Sequence, residues 1–119
     1  MTTAAVTVVL VTILINGFSG VAALVHWQAI LPGMKKAAVP ESWLTFPIGT
    51  FKTLGAVGLL AGLLGQLPSL IIAAAIGLVL FFVCALYTHI RAADFTAQFF
   101  LAVFFLGMAC ASLVLTLTA

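Results

Sequence analysis

Between Ala4 and Leu117 the chain is written as four long apolar runs, with only short polar breaks between them. A run of roughly 20 apolar residues spans the ~30 Å hydrocarbon layer of a bilayer as a helix, and is far too long for a strand. Only 5% of the residues are charged, against about 25% in a soluble domain. No water-exposed surface can be made from that supply, so lipid is the solvent for most of the chain. The expectation is an all-α, integral membrane, antiparallel four-helix bundle, with residues 1–119 forming a single transmembrane domain.

The first span is expected over about Ala4–Leu31. No Lys or Arg precedes it, so it lacks the basic start of a secretory signal and is read as a retained span. Gly17 and Gly20 admit a close neighbour. Asn16, near mid-membrane, is expected to face protein and make an interhelical hydrogen bond. Pro32-Gly33 should end this helix, and Trp43 and Phe46 read as interface anchors. Thr45 is the expected N-cap of a second span, about Pro47–Gly65, with the proline in its first turn. Gly55, Gly58, Gly62 and Gly65 recur at spacings of three and four, so they form a packing stripe along one face. The Gln66-Leu67-Pro68 break admits only a hairpin, which sets span three, about Ser69–His89, antiparallel beside span two. Ala73 and Gly77 form its own small-residue face. Asp94 is placed to cap span four, about Phe95–Leu117, where Gly107 is expected to pack closely.

Four spans put segments 32–46 and 90–95 on one side, and both ends of the chain with the hairpin on the other. Every Lys, Arg, Asp and Glu falls on or nearest the first side. The positive-inside rule then makes Lys35, Lys36 and Arg91 cytoplasmic, with both termini outside.

The polar side chains gather around Tyr87–Asp94. Lys52 is 15 residues before Leu67 and His89 is 22 after it. At 1.5 Å per residue Lys52 lies about 10 Å deeper than His89, level with Phe82. An ammonium there costs up to about 3 kcal/mol, part of it recovered by snorkelling. Lys52, Tyr87, His89, Arg91 and Asp94 are therefore the candidate lining of a polar pocket at the cytoplasmic mouth. Such a pocket suits the head of a lipophilic ligand, a quinone or lipid, with a proton exchangeable at His89. The plainer alternative splits the cluster into interface duties: Arg91 snorkels, Tyr87 joins the aromatic belt, Asp94 caps, and Lys52 reaches headgroups. His26 and His89 on different helices also raise a two-imidazole haem, a weak signal beside an anchoring role for His26. Cys84 and Cys110 differ in depth by about 13 Å or more along the helix axes, which excludes a disulfide and leaves buried inert thiols. No nucleotide loop, nucleophile elbow or zinc motif occurs, so the chain has no catalytic motif of its own, no metal site and no feature for nucleic acid.

Several blocks together resemble the DoxX-like family of small bacterial four-helix membrane proteins. They are Phe18-Ser19-Gly20, then Pro47-Ile48-Gly49 with Lys52, Gly55, Ala56, Gly58, Leu59 and Leu60, then Ala75, Gly77 and Leu78, and last Ala85, His89, Arg91 and Asp94. Two departures stand out: Ala22-Ala23 where many relatives carry a basic residue, and Lys52 where others carry an acid. Roles assigned to that acid do not transfer. The resemblance implies a bacterial cytoplasmic (inner) membrane and a loose link to redox work, since some relatives look like membrane subunits of thiol-linked, quinone-reducing assemblies. The resulting expectation is a small membrane subunit or scaffold that offers its polar mouth to a lipophilic ligand or a redox partner subunit. A stand-alone carrier of a small hydrophobic molecule and a haem-bearing electron-transfer subunit are the competing classes. The glycine faces are also compatible with a homo-oligomer.

Overall fold

The first helix starts where Thr2 turns its hydroxyl back to accept the Ala5 amide at 3.1 Å, satisfying one of the free N–H groups of a helix start. The computed structural model describes residues 1–118. Its helices are α1 (Thr3–Leu24), α2 (Leu31–Lys36), α3 (Thr50–Leu64), α4 (Pro68–Arg91) and α5 (Ala97–Leu117). α1, α4, α5 and the stretch Glu41–Leu64 that ends in α3 are each long and apolar enough to cross a membrane. They form an up-down-up-down bundle in which α1 lies against α3 and α5, and α4 against α3 and α5. The bundle is 40 Å along its long axis.

Four helices end in the same way. The residues just past α1, α2, α3 and α4 are His26, Ala38, Gln66 and Ala93, all with φ between 52° and 57°. In each case that residue's amide and the next one bond back to the last turn, for instance Ala93 N to Ile90 O at 3.0 Å and Asp94 N to His89 O at 2.8 Å. This paired closure satisfies carbonyls that would otherwise be orphaned at the helix end. It also corrects the first span, which stops at Leu24 rather than running to Leu31. Pro32 does not end that helix; it sits in the first turn of α2, where a missing amide costs nothing.

Small residues set the spacing of the spans. A Cβ on Gly20 would lie 2.8 Å from the Thr53 amide nitrogen, so α1 and α3 meet backbone to backbone there. On α3, Gly55 takes the Leu78 side chain, Gly58 faces the Ala74 methyl, and Gly62 takes Ile71, whose amide nitrogen lies 2.9 Å from the site of a Cβ. These contacts advance along α3 as they retreat along α4, the signature of an antiparallel pair. The expected stripe ends at Gly62. Gly65 closes α3 and meets only its own turn, because the chain has already reversed into the hairpin. Gly77 and Gly107 face outward with nothing within 4 Å of an added Cβ, so neither packs against another helix. The core beneath the stripe comprises Val9, Leu59, Ile71, Ala75, Leu78, Phe82 and Ala109.

Polar contacts inside the bundle also differ from expectation. Asn16 is fully buried, but its amide donates to Thr12 O in its own helix at 3.0 Å, and Oδ1 has no protein partner. The cross-helix bond belongs to Thr12, whose hydroxyl meets Ser112 Oγ at 2.9 Å. Cys84 and Cys110 are free thiols, yet exposed on the outer surface rather than buried.

Candidate ligand-binding cavity

Where α3 begins, the chain does not run straight into the bundle. Phe46 is extended (φ −143°, ψ 129°) between two helical stretches, and the whole segment from Trp27 to Gly49 folds over the end of the helices. Met34 and Leu44 are buried and pack with Ala23, flanked by Ile30, Leu31, Val39 and Ile48. This second apolar cluster makes the segment a roof. His26 fastens it: Nε2 lies 2.8 Å from Thr45 Oγ and Nδ1 3.1 Å from Glu41 Oε2. Thr45 is therefore not the N-cap of the following helix, since its hydroxyl is turned to His26. With both ring nitrogens engaged, His26 presents none to a haem iron.

Beneath the roof lies a cavity of about 690 Å³, within the range that holds drug-sized ligands. Its walls come from the roof, from Ser19 and Ala23 of α1, and from Phe82, Ala85, His89, Ala102 and Phe105 of α4 and α5. Nearly all of this is hydrocarbon. The lining continues to Leu54, Gly77, Leu80 and Cys84, which are exposed on the outer face of α3 and α4. The cavity thus reaches from the bundle interior to the surface that lipid covers.

Lys52 is the one Lys or Arg in the lining. Its ammonium donates to Ser19 Oγ at 2.8 Å and lies 5.6 Å from the Phe82 ring centroid and 5.3 Å from that of Phe105. Those rings present their negative faces to the cation, an attraction worth about 0.5–1 kcal/mol at exposed sites and about 2 kcal/mol when desolvated. Together with the hydroxyl they offset much of what the buried charge costs. Lys52 therefore does not snorkel toward the mouth; it is held at the level of Phe82, inside the apolar wall.

His89 also lines the cavity. Its Nδ1 faces Asp94 Oδ2 at 2.9 Å, and the other carboxylate oxygen accepts from Thr96 Oγ at 2.7 Å and the Thr96 amide at 3.2 Å. The Thr96 hydroxyl most of all, then His89 and the Thr96 amide, hold the Asp94 carboxyl below its ordinary range, while burial acts the other way. Asp94 is not the cap of α5. That position is Thr96, and Asp94 orders it from two residues upstream.

The five-residue cluster expected from the sequence is therefore divided. Lys52 and His89 line one cavity, Asp94 stands behind His89, and neither Tyr87 nor Arg91 lines it. Tyr87 is 65% exposed, and Arg91 is exposed at the end of α4; both face away. Ser19, Trp43, Phe82, Gln98 and Phe105 also line the cavity, and the sequence alone marks none of them as a site residue. For the roof the sequence does hold a signal, because Ile30, Met34 and Ala37 recur at helical spacing across the expected end of span one and into the loop after it.

No curated protein and no solved structure matches the chain. The DoxX-like family pattern matches it over residues 6–112, a stretch that holds all four spans' cores, the roof, Lys52, His89 and Asp94. A multi-pass bundle of this size, matched over nearly its whole length, is a member of the DoxX-like family.

Proposed function

We propose that the protein is a small membrane subunit or scaffold whose cavity holds a lipophilic ligand with a polar head, a quinone or a lipid. One observation carries this reading: a cavity of about 690 Å³, walled by hydrocarbon and open to the lipid-facing surface, contains the Lys52 ammonium and the His89 imidazole. An apolar enclosure with a few convergent polar groups is the usual form of a site for such ligands. The residues present suit a quinone ring, with Phe82 and Phe105 as walls and Lys52 and His89 as donors to its oxygens. A bound quinone would supply electron-accepting chemistry; the chain's own groups would orient it, keep water out and exchange a proton at His89. The positive-inside rule supports placing this end of the bundle at the cytoplasmic face of a bacterial inner membrane, since Lys35, Lys36 and Arg91 all lie there. A redox partner subunit would dock at the same end.

The test is extraction and mass spectrometry of protein purified in mild detergent. Wild type should retain a defined quinone or lipid, and Ala85→Phe, which fills the cavity, should lose most of it while keeping its helical circular dichroism. Equal retention by both proteins, or none by wild type, overturns the reading.

A further inference from the structure

The charge inventory around the cavity is unbalanced. The chain has two side-chain carboxylates, and both are engaged elsewhere: Glu41 with His26, and Asp94 with His89 and Thr96. Lys52 is left with a neutral hydroxyl and two ring faces. An ammonium has three donors, and the one protein acceptor within hydrogen-bond reach among the described residues is Ser19 Oγ. The other donors belong to a group that lines the cavity. A buried charge without a counter-charge is normally neutralised or paired.

We propose that the cavity takes a single-chain amphiphile with an anionic head, a long-chain carboxylate, and that Lys52 is its counter-charge. This rests on the lipophilic-ligand reading above and narrows it. The carboxylate accepts the free Lys52 donors beside Ser19. The alkyl chain lies along Phe82, Ala102 and Phe105 and leaves toward Leu54 and Leu80, on the side open to lipid. A headgroup deep in the wall and a tail leading outward fit one chain better than two, because the polar residue lies at the inner part of the lining and the exposed apolar residues at the outer part. His89 has its Nδ1 held by Asp94 and keeps Nε2 for a second hydrogen bond.

The experiment uses the full chain with Trp27→Phe, which leaves Trp43 of the cavity lining as its one tryptophan, in phosphatidylcholine nanodiscs with cis-parinaric acid, read by energy transfer from Trp43, with empty nanodiscs as the baseline. Oleate should displace the probe, and methyl oleate, which has the same chain and no charge, should do so far less well. Lys52→Met should weaken oleate roughly thirtyfold or more, the range for removing one partner of a buried charge pair, and Lys52→Arg should recover part of it. Thermal melts of each variant show that the fold is kept. If methyl oleate competes as well as oleate, or folded Lys52→Met binds oleate as wild type does, the anionic head is ruled out. Should decylubiquinone bind in that case, the broader lipophilic-ligand reading survives. If no probe binds above empty nanodiscs, both readings fall.

Discussion

At Asp94 three donors converge on one carboxylate, and the consequence is a defined response to acid. Its folded pKa lies below the unfolded value of about 3.9. The stability it contributes is therefore fully present above that value and is lost as pH falls through the folded one. Only Glu41 offers another side-chain carboxylate, so the assignment is direct. Melting followed from pH 7 to pH 3 in detergent should show a drop in Tm at the acid end, below about pH 4, that depends on Asp94. Asp94→Asn should start lower at neutral pH and lose that acid-limb component. An identical profile in both proteins would show that the carboxylate contributes nothing. The same residue illustrates what one-dimensional reading misses. An Asp just before an apolar run reads as an N-cap, but the turn after α4 places the chain so that Thr96 takes that position and Asp94 reaches back to His89.

Among the elements, α3 and α4 are held by contact rather than by polar bonds. In lipid there is no solvophobic gain between apolar helices, so close approach and dispersion decide the pairing. Gly62 is the tightest backbone point on this seam, with the Ile71 amide nitrogen 2.9 Å from where a Cβ would sit. Gly62→Val should separate the helices and cost about 1–3 kcal/mol, the usual range for overpacking, measured by unfolding in mixed micelles. Gly77→Ala meets nothing within 4 Å and should be neutral or stabilising by up to about 1 kcal/mol through helix propensity. The two glycines look alike in sequence, each in a small-residue pattern. Which of them touches a neighbour depends on the rotation of its helix about its own axis. Where every face of a helix is apolar, periodicity carries no record of that rotation.

For the molecule as a whole, alternation of the spans puts the roof and the α4–α5 turn at one end, with Thr3, the hairpin and Thr118 at the other. Single cysteines at Thr3, Gln66 and Thr118, in a Cys84→Ser, Cys110→Ser background, should react with an impermeant maleimide from the same side. Cysteines replacing Lys36 and Ala93 should react only from the opposite side. With the proposed orientation, the first set is the one labelled in intact cells. Labelling of Lys36 and Thr3 positions from one side would contradict the antiparallel arrangement.

Chain length, apolar run length and the place of three breaks were enough to specify four antiparallel spans, because a bilayer of fixed thickness leaves few other ways to hide that much hydrocarbon. The depth of Lys52 was equally legible, since helix rise converts residue count into distance. Tertiary structure alone decided what stands around it. Side-chain direction and the folding of residues 27–49 over the bundle end separated Lys52 and His89 from Tyr87 and Arg91, and enclosed them in hydrocarbon. Those outcomes depend on how four nearly featureless cylinders turn and settle against one another, and that is set by the fit of Gly20 to Thr53, Gly62 to Ile71 and Thr12 to Ser112, contacts between residues far apart in the chain.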